Sequence, residues 1–194
     1  MHQKLTITTD SGATVEAQAP VIISASRSTD IPAFHAQWFI DRLKAGYVVW
    51  VNPFNRQPMV VSFKNTKVVV FWSKNPQPII PYLKELDDRG IHYYFHFTLN
   101  DYEQEGFEPN VPPLRERIET FKSLSGRIGK EKVIWRFDPL IVTPTLTHIS
   151  FSYSFLFFLL HFFVINQRHN KKNCGNDKTT PRKFSIHNAT YYDI

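Results

Sequence analysis

Apolar positions recur along this chain with two alternating periods as far as about residue 145. Val21-Ile22-Ile23 is a short β-branched run bounded by Pro20, which predicts a buried strand. Ser28-Thr29-Asp30-Ile31-Pro32 follows. Thr29 or Asp30 can cap a helix and Pro32 suits its first turn, so a helix is predicted over 32–45. Phe34, Trp38, Phe39 and Leu43 fall on one face of it, and Gly46 stops it. Residues 47–51 predict a second strand, 59–63 a short extra one and 67–72 a third long one. Ile80, Leu83 and Leu86 mark a helix over 79–88 that ends at Gly90. A fourth strand covers 93–99. Leu114, Ile118, Phe121 and Leu124 then space a helix that runs to about Ile128 and closes at Gly129. Residues 133–137 are a fifth strand, broken by Asp138-Pro139. Residues 1–19 are polar, with a turn at Thr8-Thr9-Asp10-Ser11-Gly12, and read as a short hairpin or a frayed lead-in.

Strand and helix alternating at this rhythm predict an α/β fold of parallel strands with crossover helices. The strands are too uniformly apolar for an antiparallel sheet that is wet on one face. A partial (β/α) barrel is expected, and an open doubly wound sheet also fits. No Gly-rich phosphate loop follows the first strand, which argues against a dinucleotide site of the Rossmann kind.

The rhythm stops near residue 147. The stretch 149–165 is mostly Phe, Leu, Ser, Ile and Tyr, without Lys, Arg, Asp or Glu, and a polar, basic segment follows it. The expected organisation is a lead-in over 1–19, a partial barrel over 20–147 and an unrelated tail over 148–194. Three readings fit the tail. The run 149–165 is a membrane anchor at the short limit for spanning, or a buried helix, or the product of a shifted reading frame. A T-rich tract followed by an A-rich one, read out of frame, gives this composition.

The chain has 194 residues, enough for one domain with a proper core, and 42% hydrophobic with 21% charged residues is ordinary for a globular protein. The net charge of +6 admits an anionic partner, nucleic acid included, or simply a basic solvated surface. Six cations beyond residue 142 (Arg168, Lys171, Lys172, Lys178, Arg182 and Lys183) face only Asp177 and Asp193, so the basicity belongs mainly to the tail. The single cysteine, Cys174, excludes a disulfide framework and a cysteine-based metal site within the chain. The start lacks the apolar core of a signal peptide, so a cytoplasmic protein is expected, with membrane association through 149–165 as the alternative.

In a parallel α/β fold the ligand site lies beyond the carboxyl ends of the strands. Those ends carry Ser26 and Arg27, Asn52, Lys74 and Asn75, Thr98 and Asn100, and Arg136 with Asp138. Arg27, Lys74 and Arg136 suit a carboxylate or phosphate, so a small anionic ligand is the expected partner. Asp30 and Asp138 would orient these cations or take protons. Equally, Arg27 with Asp30 and Arg136 with Asp138 could be ion pairs that close the mouth. The candidate binding residues are therefore Arg27, Asp30, Lys74, Asn75, Arg136 and Asp138. His92 and His96 share a strand face but stand two pleats apart, too far to meet on one metal. Trp50, Trp72 and Trp135 near strand ends either floor a pocket or pack in the core.

Several segments together resemble a bacterial family, the domain of unknown function 1848. They are 24–34 (SASRSTDIPAF), Asn52-Pro53-Phe54-Asn55, 71–76 (FWSKNP), 108–113 (EPNVPP) and Trp135-Arg136-Phe137-Asp138-Pro139. The resemblance covers about residues 20–147. The family usually has Arg where this chain has Ser28, and Thr where it has Ser73. Its members end in a cysteine cluster similar to the iron–sulfur motif of radical S-adenosylmethionine enzymes. Parts of the pattern are also similar to barrels of the spore photoproduct lyase type. The resemblance thus implies an iron–sulfur cluster and S-adenosylmethionine as cofactors. Such a cluster needs three thiolates, and this chain has only Cys174. It is therefore expected to hold no such cofactor itself and to be inactive in that chemistry.

Overall fold

The computed structural model describes residues 4–26, 28–52, 54–139, 141 and 191–193. The chain forms two compact units, one of Met1–Arg136 with His187–Ile194 and the other of Phe137–Ile186. The run 149–165, Arg27 and Cys174 lie outside the described residues, and with them the three readings of the tail.

In the first unit, β1 (Lys4–Thr8) and β2 (Thr14–Gln18) form an antiparallel hairpin. Then come β3 (Ile22–Ser24), helices α1 (Ile31–Phe34) and α2 (Ala36–Ala45), and strands β4 (Tyr47–Val51), β5 (Pro58–Ser62) and β6 (Val68–Ser73). A 3-10 turn over Gln77–Tyr82 leads into α3 (Leu83–Asp88), followed by β7 (His92–Thr98), α4 (Leu114–Ile128) and β8 (Val133–Arg136). The last strand is β9 (Tyr191–Asp193).

The architecture is mixed α/β, with two sheets. One has the order β8-β7-β6-β3-β9, and every pairing in it is parallel. Strands β3, β6, β7 and β8 are neighbours in chain order, as successive βα units require. The described strands do not close into a barrel.

The second sheet, β1-β2-β5-β4, corrects the expectation of parallel strands throughout. Tyr47–Val51 is not the second strand of the parallel sheet; it pairs antiparallel with β5. A hairpin closed by a short turn can be antiparallel only, whereas a parallel pair needs a long crossover. The uniformly apolar sequence of β4 was misleading because its apolar side chains are not all buried, Val49 and Val51 being exposed.

Two helices also depart from their predicted form. The first breaks at His35, whose backbone (φ −132°, ψ 26°) is not helical. The break rotates the second half, so α2 buries Ala36, Phe39, Ile40 and Leu43 while Phe34 and Trp38 face outward. Gly46 ends α2 in the left-handed region at φ 86°, which a side chain would resist by about 1 kcal/mol. In α4 the buried side chains are Arg117, Phe121 and Leu124, while Leu114 and Ile118 are only half-buried.

The core lies between the parallel sheet and the helices. Phe71 stacks on Phe95 at 4.9 Å, Phe39 meets Phe71 edge-on at 5.5 Å, and Phe97 meets Phe121 at 5.4 Å. Each such buried ring stabilises the fold by roughly 1.5–3 kcal/mol. Along β7 the buried residues are Tyr93, Phe95 and Phe97, while Tyr94, His96 and Thr98 lie half-buried on the opposite face. No helix among the described residues is long and apolar enough to cross a membrane.

Candidate functional site

The carboxyl ends of β6 and β7 border a cleft of about 360 Å³ whose walls include Asp30, Trp72, Ser73, Lys74, Asn75 and Thr98. Asn110 and Pro112 of the loop before α4 close its far side. Sequence order explains the convergence: β6 and β7 run parallel, so both end at the same edge.

Asp30 organises the near wall. One carboxylate oxygen accepts from the Ala33 N–H at 3.1 Å and so caps α1. The other accepts from the Ser73 hydroxyl at 3.0 Å and the Lys74 N–H at 3.1 Å, which ties α1 to the end of β6. Burial pushes the Asp30 pKa above its ordinary value, against these hydrogen bonds and the nearby Lys74 charge, which all favour the carboxylate. Ser73 in turn accepts from the Asn75 N–H at 2.9 Å, fixing the turn that presents Lys74 and Asn75.

Lys74 extends its ammonium to Glu108, forming an ion pair that is mostly shielded from solvent. Glu108 sits in the loop between β7 and α4. The second oxygen of Glu108 is buried and has no hydrogen-bond partner among the described residues. The loop is pinned by Arg117, which is buried and donates to the Pro112 carbonyl at 2.8 Å and the Asn100 carbonyl at 3.0 Å. Burial lowers the Arg117 pKa, while Glu103 and Asp101 favour its charged form. Glu103 accepts from the Leu114 N–H, so the loop also caps the start of α4.

Further along the same face, the Arg136 guanidinium lies 4.4 Å above the Trp72 ring. His96 stands opposite Trp72 in the register of β6 and β7, with its ring 5.1 Å from that of Trp72 and 5.5 Å from that of Tyr94. Its Nδ1 is buried and has no hydrogen-bond partner among the described residues. Burial, and to a lesser degree the Arg136 charge, lowers its pKa below the ordinary value. The imidazole is therefore held neutral beside two aromatic rings and a cation, able to accept or to donate a hydrogen bond.

Of the residues read from the sequence, the structure brings Asp30, Lys74 and Asn75 to one cleft, with Thr98 beside them. Arg136 lies on the same sheet over Trp72. Arg27 is outside the described residues. Asp138 belongs to the second compact unit, where it is exposed. Asn52 is not at this edge: it closes the β4–β5 hairpin, accepting from the Phe54 N–H at 2.9 Å. Ser26 and Asn100 do not line the cleft. Of the tryptophans, Trp72 lines it, Trp135 donates to the Leu99 carbonyl at 3.1 Å, and Trp50 lies in the other sheet. Sequence reasoning missed Glu108 as the partner of Lys74. Its only signal was membership in the 108–113 segment.

The fold and the cleft define an α/β protein with a candidate small-ligand site at the carboxyl edge of parallel strands. The chain belongs to the family described as domain of unknown function (DUF1848), whose model matches residues 22–159. No curated protein and no solved structure matches it. The donor set does not fit the iron–sulfur cluster that the resemblance implies. The chain supplies one cysteine where three thiolates are needed, and no group of three His, Cys, Asp or Glu among the described residues could hold a metal ion.

Proposed function

We propose that this chain is a partial (β/α) barrel, similar to those of radical S-adenosylmethionine proteins, that lacks the thiolates for an iron–sulfur cluster and is inactive in that chemistry. What it retains is a small-ligand cleft at the carboxyl edge, in a cytoplasmic protein. The observation that carries this reading is the convergence of Asp30, Lys74 and Asn75 on one cleft at the ends of parallel strands that neighbour one another in chain order. Reconstitution of the full chain with iron and sulfide tests it. The expected result is no cluster in proportion to protein. A stoichiometric [4Fe–4S] spectrum would sink the reading.

A second reading, an anion-binding module, is favoured by one observation: two cations, Lys74 and Arg136, on adjacent parts of one sheet face. It meets a counterweight, since Glu108 already takes the charge of Lys74 and Asp30 faces the same cleft. If anions bind there, Glu108→Gln releases the ammonium and tightens inorganic phosphate binding several-fold, about 1 kcal/mol in free energy. Arg136→Ala weakens it. Titration calorimetry with phosphate reads both, and affinities that ignore both substitutions remove the anion-binding reading.

A further inference from the structure

The two ends of the second sheet are protected very differently. At one end β1 carries Lys4, whose ammonium reaches Glu16 of β2 at 2.7 Å, and polar residues alternate with apolar ones. Charged side chains of this kind keep an open sheet edge from pairing with another chain. At the other end β4, Tyr-Val-Val-Trp-Val, has no charged residue and no proline within it. It pairs with β5 alone among the described residues.

The register fixes which backbone groups β4 leaves open. Asn52 donates to the Gln57 carbonyl and Phe63 donates to the Gly46 carbonyl, so residues 46, 48, 50 and 52 turn their peptide groups toward β5. Tyr47, Val49 and Val51 therefore point their N–H and C=O groups outward, to the edge that no described strand covers. Val49 and Val51 are also 51% and 54% exposed, which is unusual for adjacent same-face valines in a strand. A groove of about 390 Å³ flanks the strand, and no Lys, Arg, Asp or Glu lines it among the described residues. The indole N–H of Trp50, buried in the wall of this groove, has no acceptor among the described residues.

We propose that β4 is an interface at which two copies of this chain join their sheets, β4 against β4, antiparallel and centred on Val49. The open groups make this register self-complementary. Val49 would pair with Val49 of the second copy, and Tyr47 with Val51 in each direction. All three pairs would be of the hydrogen-bonded kind, because all three residues present both groups outward. A two-fold axis through Val49 satisfies both copies at once and closes the assembly. Absence of charge on the strand means that a second copy meets no repulsion there, and the exposed valines are covered by the contact.

Sedimentation equilibrium of the full chain over a range of concentrations tests this. A monomer–dimer equilibrium is expected. Val49→Lys and Val49→Glu each set like charges face to face across the axis and should each weaken the dimer by about tenfold or more. Because Val49 is half exposed, the circular dichroism of both variants should match the parent, and so should their melting temperature at concentrations where the parent is monomeric. Mixing the two variants should restore a dimer through opposite charges. Phe54→Lys, at a 95% exposed ring outside the strand, should leave dimerisation unchanged. A chain that stays monomeric at every concentration overturns the proposal and leaves the edge to an extended segment of another protein. Association that survives Val49→Lys, or that Phe54→Lys abolishes, overturns it in favour of non-specific apolar contact.

Discussion

Asp30 is the residue on which the cleft turns, because one carboxylate serves both a helix start and a strand end. Asp30→Ala removes the cap and leaves the Lys74 N–H without its acceptor, an expected loss of about 2–3 kcal/mol in denaturant unfolding. Burial raises its pKa above the usual 3.8, so the folded chain keeps the proton through a window where the unfolded chain has lost it. Its protonation thus favours the folded state, fully below pH 3.8 and decreasingly as pH rises through the folded value. Asp30→Asn should abolish that part of the pH dependence, and an unchanged slope of stability against pH would contradict the assignment. His96 behaves in the opposite sense. Its depressed pKa makes stability fall as pH drops below 6.5, where an unfolded histidine takes up a proton and the buried one does not. An NMR titration should place its midpoint below 6.5, and Arg136→Ala should move it upward only in part, since burial is the larger cause. The capping role of Asp30 was readable from Ser-Thr-Asp-Ile-Pro. Its bonds to Ser73 and Lys74 were not, because no local pattern links residues more than forty positions apart. A separation of 34 positions hid Glu108 from Lys74 in the same way, so a paired lysine read as one open to an anion.

Among the elements, the loop between β7 and α4 decides whether Glu108 reaches the cleft, and Arg117 holds that loop from beneath. Its two bonds run to carbonyls on either side of Glu108, at Asn100 and Pro112. Arg117→Leu takes the guanidinium donor from both carbonyls and should cost about 3 kcal/mol. Arg117→Lys should recover little, since a single ammonium lacks the fork that spans two acceptors. Hydrogen exchange along 101–112 separates the explanations: faster exchange there, with β6 and β7 unchanged, is the expected pattern. Uniform exchange across the sheet would mean that Arg117 supports the whole core instead. Helical spacing located α4 well but missed Arg117 on its inner side, because an arginine counts as polar in any apolar pattern. The break at His35 was equally hidden. Phe34 continues the spacing of Phe39 and Leu43 but lies across the non-helical His35 and faces outward, while Trp38, within α2, lies about 100° around the helix from Phe39 and is exposed. In β4, apolar composition and parallel pairing were equated, while the short connection to β5 was the stronger signal.

Across the whole molecule, the parallel sheet was legible because β6, β7 and β8 each precede or follow a well-spaced helix, and chain order then dictates neighbour order. The outer flank of β3 was not legible. Residues 191–193 take that place, pairing Ile22 with residue 191 and Ser24 with residue 193 across more than 160 intervening positions. Nothing in a local pattern announces such a contact, and the entropy of closing so long a loop works against it. The sheet therefore gains a fifth strand, which pairs with β3 alone among the described strands. Deleting His187–Ile194 should leave Ile23 and the aromatic core packed, because the ladder of β3 with β6 and the contact of Phe39 with Phe71 do not involve β9. It should turn β3 into an edge strand and cost about 2 kcal/mol for a ladder this short. The amides of Ile22, Ile23 and Ser24 report on both flanks of β3. Those that face β9 should lose their protection from exchange, while those bonded to β6 keep it. Unchanged protection on both flanks would show that β9 does not hold β3 in solution, and the parallel sheet would then end at β3.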